Sequence, residues 1–243
     1  LHLAAGSHVD RSIKDPVSFV MDNIVGTTHL LNFARTLDSL ELFINFSTDE
    51  IFGPAPLNVK YKEWDRYNST NPYAASKAGA EEMGMAFANT YQLPLITTHC
   101  MNVFGERQHS EKFIPLCIDR ILRGQKVSIH SSKQGDPGRR HYIHAKDTAD
   151  AILFLLRGQW TQREKYNIVG AQEVDNLQLA QLIADYIGKP LHYDLVDFHS
   201  SRPGHDLRYA LDGNKMQGLG WEPPVNFVNH LQKTNWDLRP KLI

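Results

Sequence analysis

Apolar and polar positions along this chain alternate between two rhythms. Short apolar runs at 42–46 and 94–99 read as buried strands, and longer stretches with apolar residues three and four apart read as helices. From 16 to about 37, Val17, Val20, Met21, Ile24, Val25, Leu30, Leu31 and Phe33 follow helical spacing, with Asp15 as N-cap and Pro16 in the first turn. Gly26 lies inside that helix, where it costs about 1 kcal/mol against alanine, so the pattern predicts a close approach of another backbone or helix there. Asn71 and Pro72 open a second long helix to about Thr90, and residues 1–5 read as the end of a buried strand. Past Gly105 the pattern loosens into helices near 111–122, 147–156, 177–187 and 227–236, strands near 127–130 and 166–169, a loop with Asp136, Pro137 and Gly138, and an extended piece at 208–211. Strands separated by helices predict an α/β fold with a parallel sheet, its second half a smaller mixed lobe packed on the first.

Composition narrows the classes. A chain of 243 residues with 42% apolar and 22% charged residues has enough material for a buried core. Its 26 basic and 27 acidic residues give a net charge of -1, so no general attraction to nucleic acid or an anionic membrane is expected, while a local basic pocket remains open. No apolar run approaches the ~20 residues of a membrane span. Cys100 and Cys117 are too few for a disulfide framework and too far apart for a zinc knuckle, which fits a reducing cytoplasm. Among His2, His8, His99, His109, His130, His141 and His144 there is no His-x-x-x-His pair, so no metal site is expected. The opening LHLAAGSHVD has neither an initiator Met nor the regions of a signal peptide, and reads as the start of a fragment.

Candidate chemistry sits where the strands end, which is where open α/β sheets bind ligands. The first strand runs into Ser47, Thr48, Asp49 and Glu50, the second into Cys100 and Asn102. Two adjacent carboxylates in a half-buried site repel, raising one pKa so that an acid and a base coexist; alone, such a pair is more often a solvated turn. Tyr73 and Lys77 stand four apart on a helix and share a face, where the ammonium is expected to lower a phenol pKa of about 10; alone, this is a surface pair. Ala74, Ala75, Ala78 and Ala80 around them leave room for something flat, and the two features together favour catalysis.

The segments HLAAGSHVDRSI, NIVGT, STDEIFG, NPYAASKAGAE, EKFIP, YNIVG, RPGHDLRYALD and LGWEP carry a resemblance over nearly the whole chain. In order and spacing they are similar to nucleotide-sugar 4,6-dehydratases of the extended short-chain dehydrogenase/reductase family, the dTDP-glucose 4,6-dehydratase type. The STDE segment separates these from the related 4-epimerases and sugar decarboxylases. The resemblance implies a partial Rossmann-like parallel sheet with helices on both faces plus a smaller mixed lobe. It implies NAD as cofactor, an NDP-glucose substrate and an NDP-4-keto-6-deoxy-sugar product. Tyr73 with Lys77 would take the 4-hydroxyl proton, Thr48 would hold that oxygen, Glu50 would take the C5 proton, and Asp49 would protonate the leaving C6 hydroxyl. Ala4, Ala5, Ser7, Ser47 and Cys100 would line the cofactor, supported by Asn23. Asn102, Glu111, Lys112, Arg140, Arg202 and His205 would lie around the sugar and diphosphate, and His205 and Asp206 would brace that loop.

Phe52 stands where the family has Tyr, and Val103 where it has a polar residue. The family's Gly-rich turn for the NAD pyrophosphate and the following ribose acid are absent from these residues. The resemblance thus makes residues 1–105 the C-terminal part of an NAD-binding domain, and 106–243 mainly the substrate lobe with segments returning to the sheet. The chain as given is expected to bind NAD weakly and to be inactive, and the long helices are expected to pair in a homodimer. Two alternatives stay open: another NDP-sugar epimerase or decarboxylase, and a truncated binding or assembly protein without catalysis.

Overall fold

A computed structural model describes residues 1–197 and 206–237. Helix α1 (Val9–Lys14) leads into α2 (Pro16–Phe19), where the Asp15 carboxylate accepts a hydrogen bond from the Ser18 amide at 3.2 Å. The rod continues unbroken through a π-helical segment (Val20–Val25) into α3 (Gly26–Ala34), so the single regular helix expected over 16–37 is an α-helix interrupted by a π-helical segment and ends at Ala34. Strand β1 (Phe43–Thr48) follows, then α4 (Pro72–Tyr91). The Asn71 side chain caps α4 by accepting from the Ala74 amide at 2.8 Å, and Pro72 occupies its first turn.

Next come β2 (Leu95–Cys100), β3 (Asn102–Phe104), α5 (Phe113–Leu122), β4 (Val127–Ser131), β5 (Arg139–His144) and α6 (Ala145–Leu156). They are followed by β6 (Lys165–Ile168), β7 (Glu173–Asp175), α7 (Asn176–Ile187) and β8 (Tyr193–Asp197), then a short helix Asn214–Gly218 and a last helix Phe227–Asp237.

The sheet that matters for the site is parallel, in the order β1-β2-β6, with Thr48 opposite Cys100 and Cys100 opposite Ile168. Every residue of β2 is buried, as a central strand covered on both faces requires. One core gathers Ile44, Ile96, Tyr166 and Ile168 with Ala151, Ile152 and Leu155 of α6. Another gathers Phe43 and Leu95 with Leu31, Ala34, Phe87 and Ala88. The second lobe holds β3-β5-β7, with β7 antiparallel, and the parallel pair β4-β8, around a separate core of α5, α7 and the last helix. Among the described residues, no helix is long and apolar enough to cross a membrane.

Several expectations change. Of residues 1–5 only His2 joins the sheet, donating its amide to the Ile44 carbonyl at 2.9 Å and accepting from the Phe46 amide at 3.2 Å, while Leu1 and Leu3 are exposed. Gly26 meets no neighbouring element: a Cβ there would find only the Met21 carbonyl of its own helix, at 3.6 Å. The close helix approach falls at Gly79 instead, where a Cβ would sit 2.6 Å from Ile24 Cδ1. Strands β3, β5, β7 and β8 are not expected from the pattern; in β5 the alternation is masked because His141 and His144 take buried places that pattern reading reserves for apolar residues.

Candidate active site

Strand β1 delivers Ser47 and Thr48 to the edge of a cavity of about 720 Å³, and a single 3-10 turn (Asp49–Phe52) turns Asp49 and Glu50 into it. Helix α4 supplies Tyr73 and Lys77, and β2 supplies Cys100. Ala5, Ser7, Asn102 and Lys112 also line this cavity. Eleven of the expected site residues therefore share one cleft at the carboxyl ends of β1 and β2. An apolar wall including Val103, Phe104, Phe113, Ile114, Tyr142, Ile152 and Leu153 completes it. Sequence reasoning missed that wall, since apolar residues facing a cleft carry the same pattern as those facing a core.

The remaining expected residues lie elsewhere. Ala4 is exposed and outside the lining. Asn23 stands behind the wall: its Oδ1 accepts from the Gly6 amide at 2.7 Å, and its Nδ2 donates to the Gly6 carbonyl at 3.0 Å and to Ser76 Oγ at 2.8 Å. This ties the segment carrying Ala5 and Ser7 to α4. Glu111 is turned to Arg11, which donates to both its oxygens at 3.1 and 3.0 Å, and to His8 at 3.1 Å, so it does not line the cavity. Arg140 is also outside the lining; its guanidinium donates to the carbonyls of Arg139, Asp206 and Leu207 at 2.7, 2.5 and 2.8 Å and lies over the Tyr209 ring. Its charge nevertheless reaches Asp49 and Glu50. Asp206 accepts from Thr70 Oγ1 at 2.7 Å, a bracing contact, whereas Arg202 and His205 fall outside the described residues.

Electrostatics distinguish the two halves of the site. Burial pushes Asp49 up to about 6, opposed chiefly by Arg140. Burial, then the Asp49 charge, pushes Glu50 up to about 7. Thr48 Oγ1 donates to Asp49 Oδ1 at 3.1 Å, but Asp49 Oδ2 is buried with no hydrogen-bond partner. Glu50 Oε2 accepts from Asn71 Nδ2 at 3.2 Å and from the Tyr209 hydroxyl at 3.4 Å. The Tyr73 phenol is pushed up by burial and then by Glu50, against a Thr48 hydrogen bond that lowers it. The expected lowering by Lys77 is thus overturned, because burial and the Glu50 charge outweigh it. Lys77 is spent on the Phe46 carbonyl, 2.5 Å from its Nζ, and burial brings it down to about 8 against the pull of Glu81.

Buried, unpartnered Ser47 Oγ, Asn102 Oδ1 and Asp49 Oδ2, beside the small Ala5 and Ser7, give this cleft what a flat, polar-edged ring needs: open space and unused hydrogen-bonding groups. The sequence profile of the GDP-mannose 4,6 dehydratase family matches residues 1–234. This chain belongs to that family. It is 38% identical over 254 aligned residues to a dTDP-glucose 4,6-dehydratase of Haemophilus influenzae, covering 96% of this chain and 74% of that protein. The crystal structure of a Streptomyces venezuelae dTDP-glucose 4,6-dehydratase, solved with NAD bound, superposes with a TM-score of 0.88 at 34% identity, covering 99% of this chain and 72% of that one. A Thermus thermophilus UDP-glucose 4-epimerase in complex with NAD superposes at 0.89 with 27% identity, over 99% and 77% of the two chains. The family scaffold is Rossmann-like, and it carries both dehydratases and epimerases.

Proposed function

We propose that this protein is an NAD-dependent nucleotide-sugar dehydratase that converts an NDP-glucose to the NDP-4-keto-6-deoxy-sugar and water. The observation that carries this reading is the meeting of Asp49 and Glu50 with Tyr73 and Lys77 in one cleft, because an epimerase needs no acid and base to expel a C6 hydroxyl. Ala5, Ser7, Ser47 and Cys100 hold the nicotinamide side, with Asn23 anchoring that wall, while Asn102 and Lys112 face the sugar nucleotide. NAD bound there would supply the two-electron redox chemistry at the sugar carbons.

Thr48 binds the sugar 4-oxygen, and Tyr73 takes its proton as the phenolate, a form that burial disfavours and that it reaches by first losing its own proton to solvent, with the Lys77 ammonium as the nearby cation. The 4-ketone acidifies C5, and Glu50 removes that proton. Its hydrogen bonds from Asn71 and Tyr209 favour the carboxylate needed for this step. Asp49 gives its proton to the C6 hydroxyl, which leaves as water; its partnerless Oδ2 suits a neutral acid awaiting an acceptor. Glu50 then returns a proton to C5, and solvent exchange resets Tyr73 and Asp49. Burial raises both carboxyls, so an acid and a base can coexist in the pair near neutral pH.

Two coarser features follow the same reading. Val17, Val20, Met21 and Phe33 are exposed apolar residues on the rod before β1, and Ala75 and Ala86 are exposed on α4, as suits pairing of these helices in a homodimer. Both cysteines are buried free thiols, as suits a reducing cytoplasm. Residues 1–105 then serve mainly the cofactor and 106–243 mainly the sugar nucleotide, with β6 returning to the first sheet.

The test is a separation of half-reactions in the complete protein. With dTDP-glucose and NAD, Glu50→Gln and Asp49→Asn are expected to retain the near-ultraviolet absorbance of reduced nicotinamide while losing dehydration by about 10²–10⁴-fold. Tyr73→Phe is expected to lose both. Normal substrate binding without reduced nicotinamide in either carboxylate variant overturns the assignment.

A further inference from the structure

One turn beyond Lys77 on the same face of α4, Glu81 is completely buried in a polar cluster drawn from four parts of the chain. His99 Nε2 of β2 lies 3.1 Å from both carboxylate oxygens, and Lys165 Nζ of β6 lies 2.9 Å from Oε1. The Tyr67 hydroxyl donates to the same Oε1. On the other side of the ring, His99 Nδ1 lies 2.8 Å from Asn167 Oδ1. The orientation of that amide is fixed, because Asn167 Nδ2 donates to the carbonyls of Tyr61 and Asp212, both at 3.0 Å. Both nitrogens of His99 therefore face acceptors, and an imidazole can satisfy two acceptors only by carrying a hydrogen on each nitrogen.

We propose that His99 is a protonated imidazolium paired with an ionised Glu81, and that Glu81 is a positioning residue that keeps Lys77 an ammonium beneath Tyr73. The catalytic meaning rests on the Tyr73 and Lys77 roles given above; the ionisation of the cluster does not. Lys77 has to stay charged in a buried place, and its ammonium meets a neutral carbonyl, that of Phe46. Around it stand Cys100 from β2, His2 from the first segment and Glu81 from its own helix. Glu81 in turn faces His99, Lys165 and Tyr67, which hold its own pKa down to about 2 despite complete burial. It is the anion that offsets the desolvation of Lys77, and its influence passes through charge, one helical turn away.

Two measurements on the unliganded, full-length protein decide the matter. In the wild type, nitrogen NMR of the His99 ring at about pH 8 is expected to show two protonated nitrogens, and a neutral tautomer there overturns the proposal. In Glu81→Gln, the Lys77 titration followed through its Cε carbon is expected to fall by about one unit or more, with Glu81→Asp restoring most of the shift. The alkaline limb of kcat is expected to move down with it, losing about ten-fold at a pH where the wild type is still on its plateau, with KM unchanged. A folded Glu81→Gln protein whose Lys77 titration does not move overturns the positioning role. Should that variant not fold, the wild-type His99 measurement decides the ionised pair, and the Lys77 titration of Glu81→Asp decides the positioning role: a part-unit fall supports it and an unmoved titration overturns it. A protein that shows both NMR signatures yet dehydrates no sugar nucleotide refutes the proposed function and leaves the ionised cluster standing.

Discussion

Helix α4 looks toward two sets of buried carboxylates, and they behave in opposite ways. Asp49 and Glu50 lie within reach of Tyr73 with few donors between them, and burial lifts both toward neutrality. Glu81, buried at least as deeply, is held far below the usual carboxylate range by His99, Lys165 and Tyr67. Burial alone therefore does not decide the charge of a carboxylate; the donors that replace its water do. The difference divides the labour: an acid that must give and take protons is left short of partners, and an anion that must stay an anion is surrounded by them.

Stability measurements can break this comparison. The largest effect is expected from Glu81→Gln, which strands Lys165 and His99 without their anion and should cost about 3–5 kcal/mol near neutral pH in denaturant unfolding. Glu81 has a folded pKa below its unfolded one, so its contribution is present above about pH 4.5 and drains away as pH falls toward about 2, and the cost of the variant should shrink over that window.

Glu50 has the opposite sign. Its folded pKa lies above its unfolded one, so the native state binds the extra proton, and stability falls as pH rises from about 4.5 to about 7. Glu50→Gln should accordingly gain about 1–3 kcal/mol at pH ~8 and nothing at pH ~4. Equal gains at both values would show that packing, not ionisation, sets the effect. At the small end stands the exposed Arg123–Asp119 pair on α5, 2.8 Å apart; Asp119→Ala should change stability by less than about 0.5 kcal/mol. A larger loss there would mean that ion-pair distance counts for more than the comparison allows.

What could be read from the sequence follows the same division. The carboxylates after β1 and the Tyr73–Lys77 pair are placed by local spacing and strand ends, and it is their combination and the resemblance, neither feature alone, that marks them as a site. The Asn71–Pro72 start of α4 is written locally too, and it appears where expected. The Glu81 cluster gives no such sign: Tyr67 and Lys165 are 98 residues apart, and each member taken singly is an ordinary polar residue. The resemblance puts Arg140 beside the diphosphate, and no sequence pattern shows that the carbonyls of Asp206 and Leu207 take its guanidinium. Gly26 and Gly79 make the same point about backbone, since only the packed helices show which glycine is the close contact.

The π-helical segment turns a question of shape into one of counting. From Phe19 through Asn23 and Thr27 to Leu31 the buried positions step by four, before Ala34 closes the rod with a step of three. An ordinary helix turns about 100° per residue, so each such step overshoots its face by about 40°, and three in a row would swing the last well round the rod. The wider turn absorbs that excess and returns Asn23 to the same side as Phe19 and Thr27. Within 20–25 it is the number of letters that the turn constrains. Losing one codon there would tighten the coil, rotate Asn23 off Gly6, and loosen the wall bearing Ala5 and Ser7 without altering any residue that touches substrate.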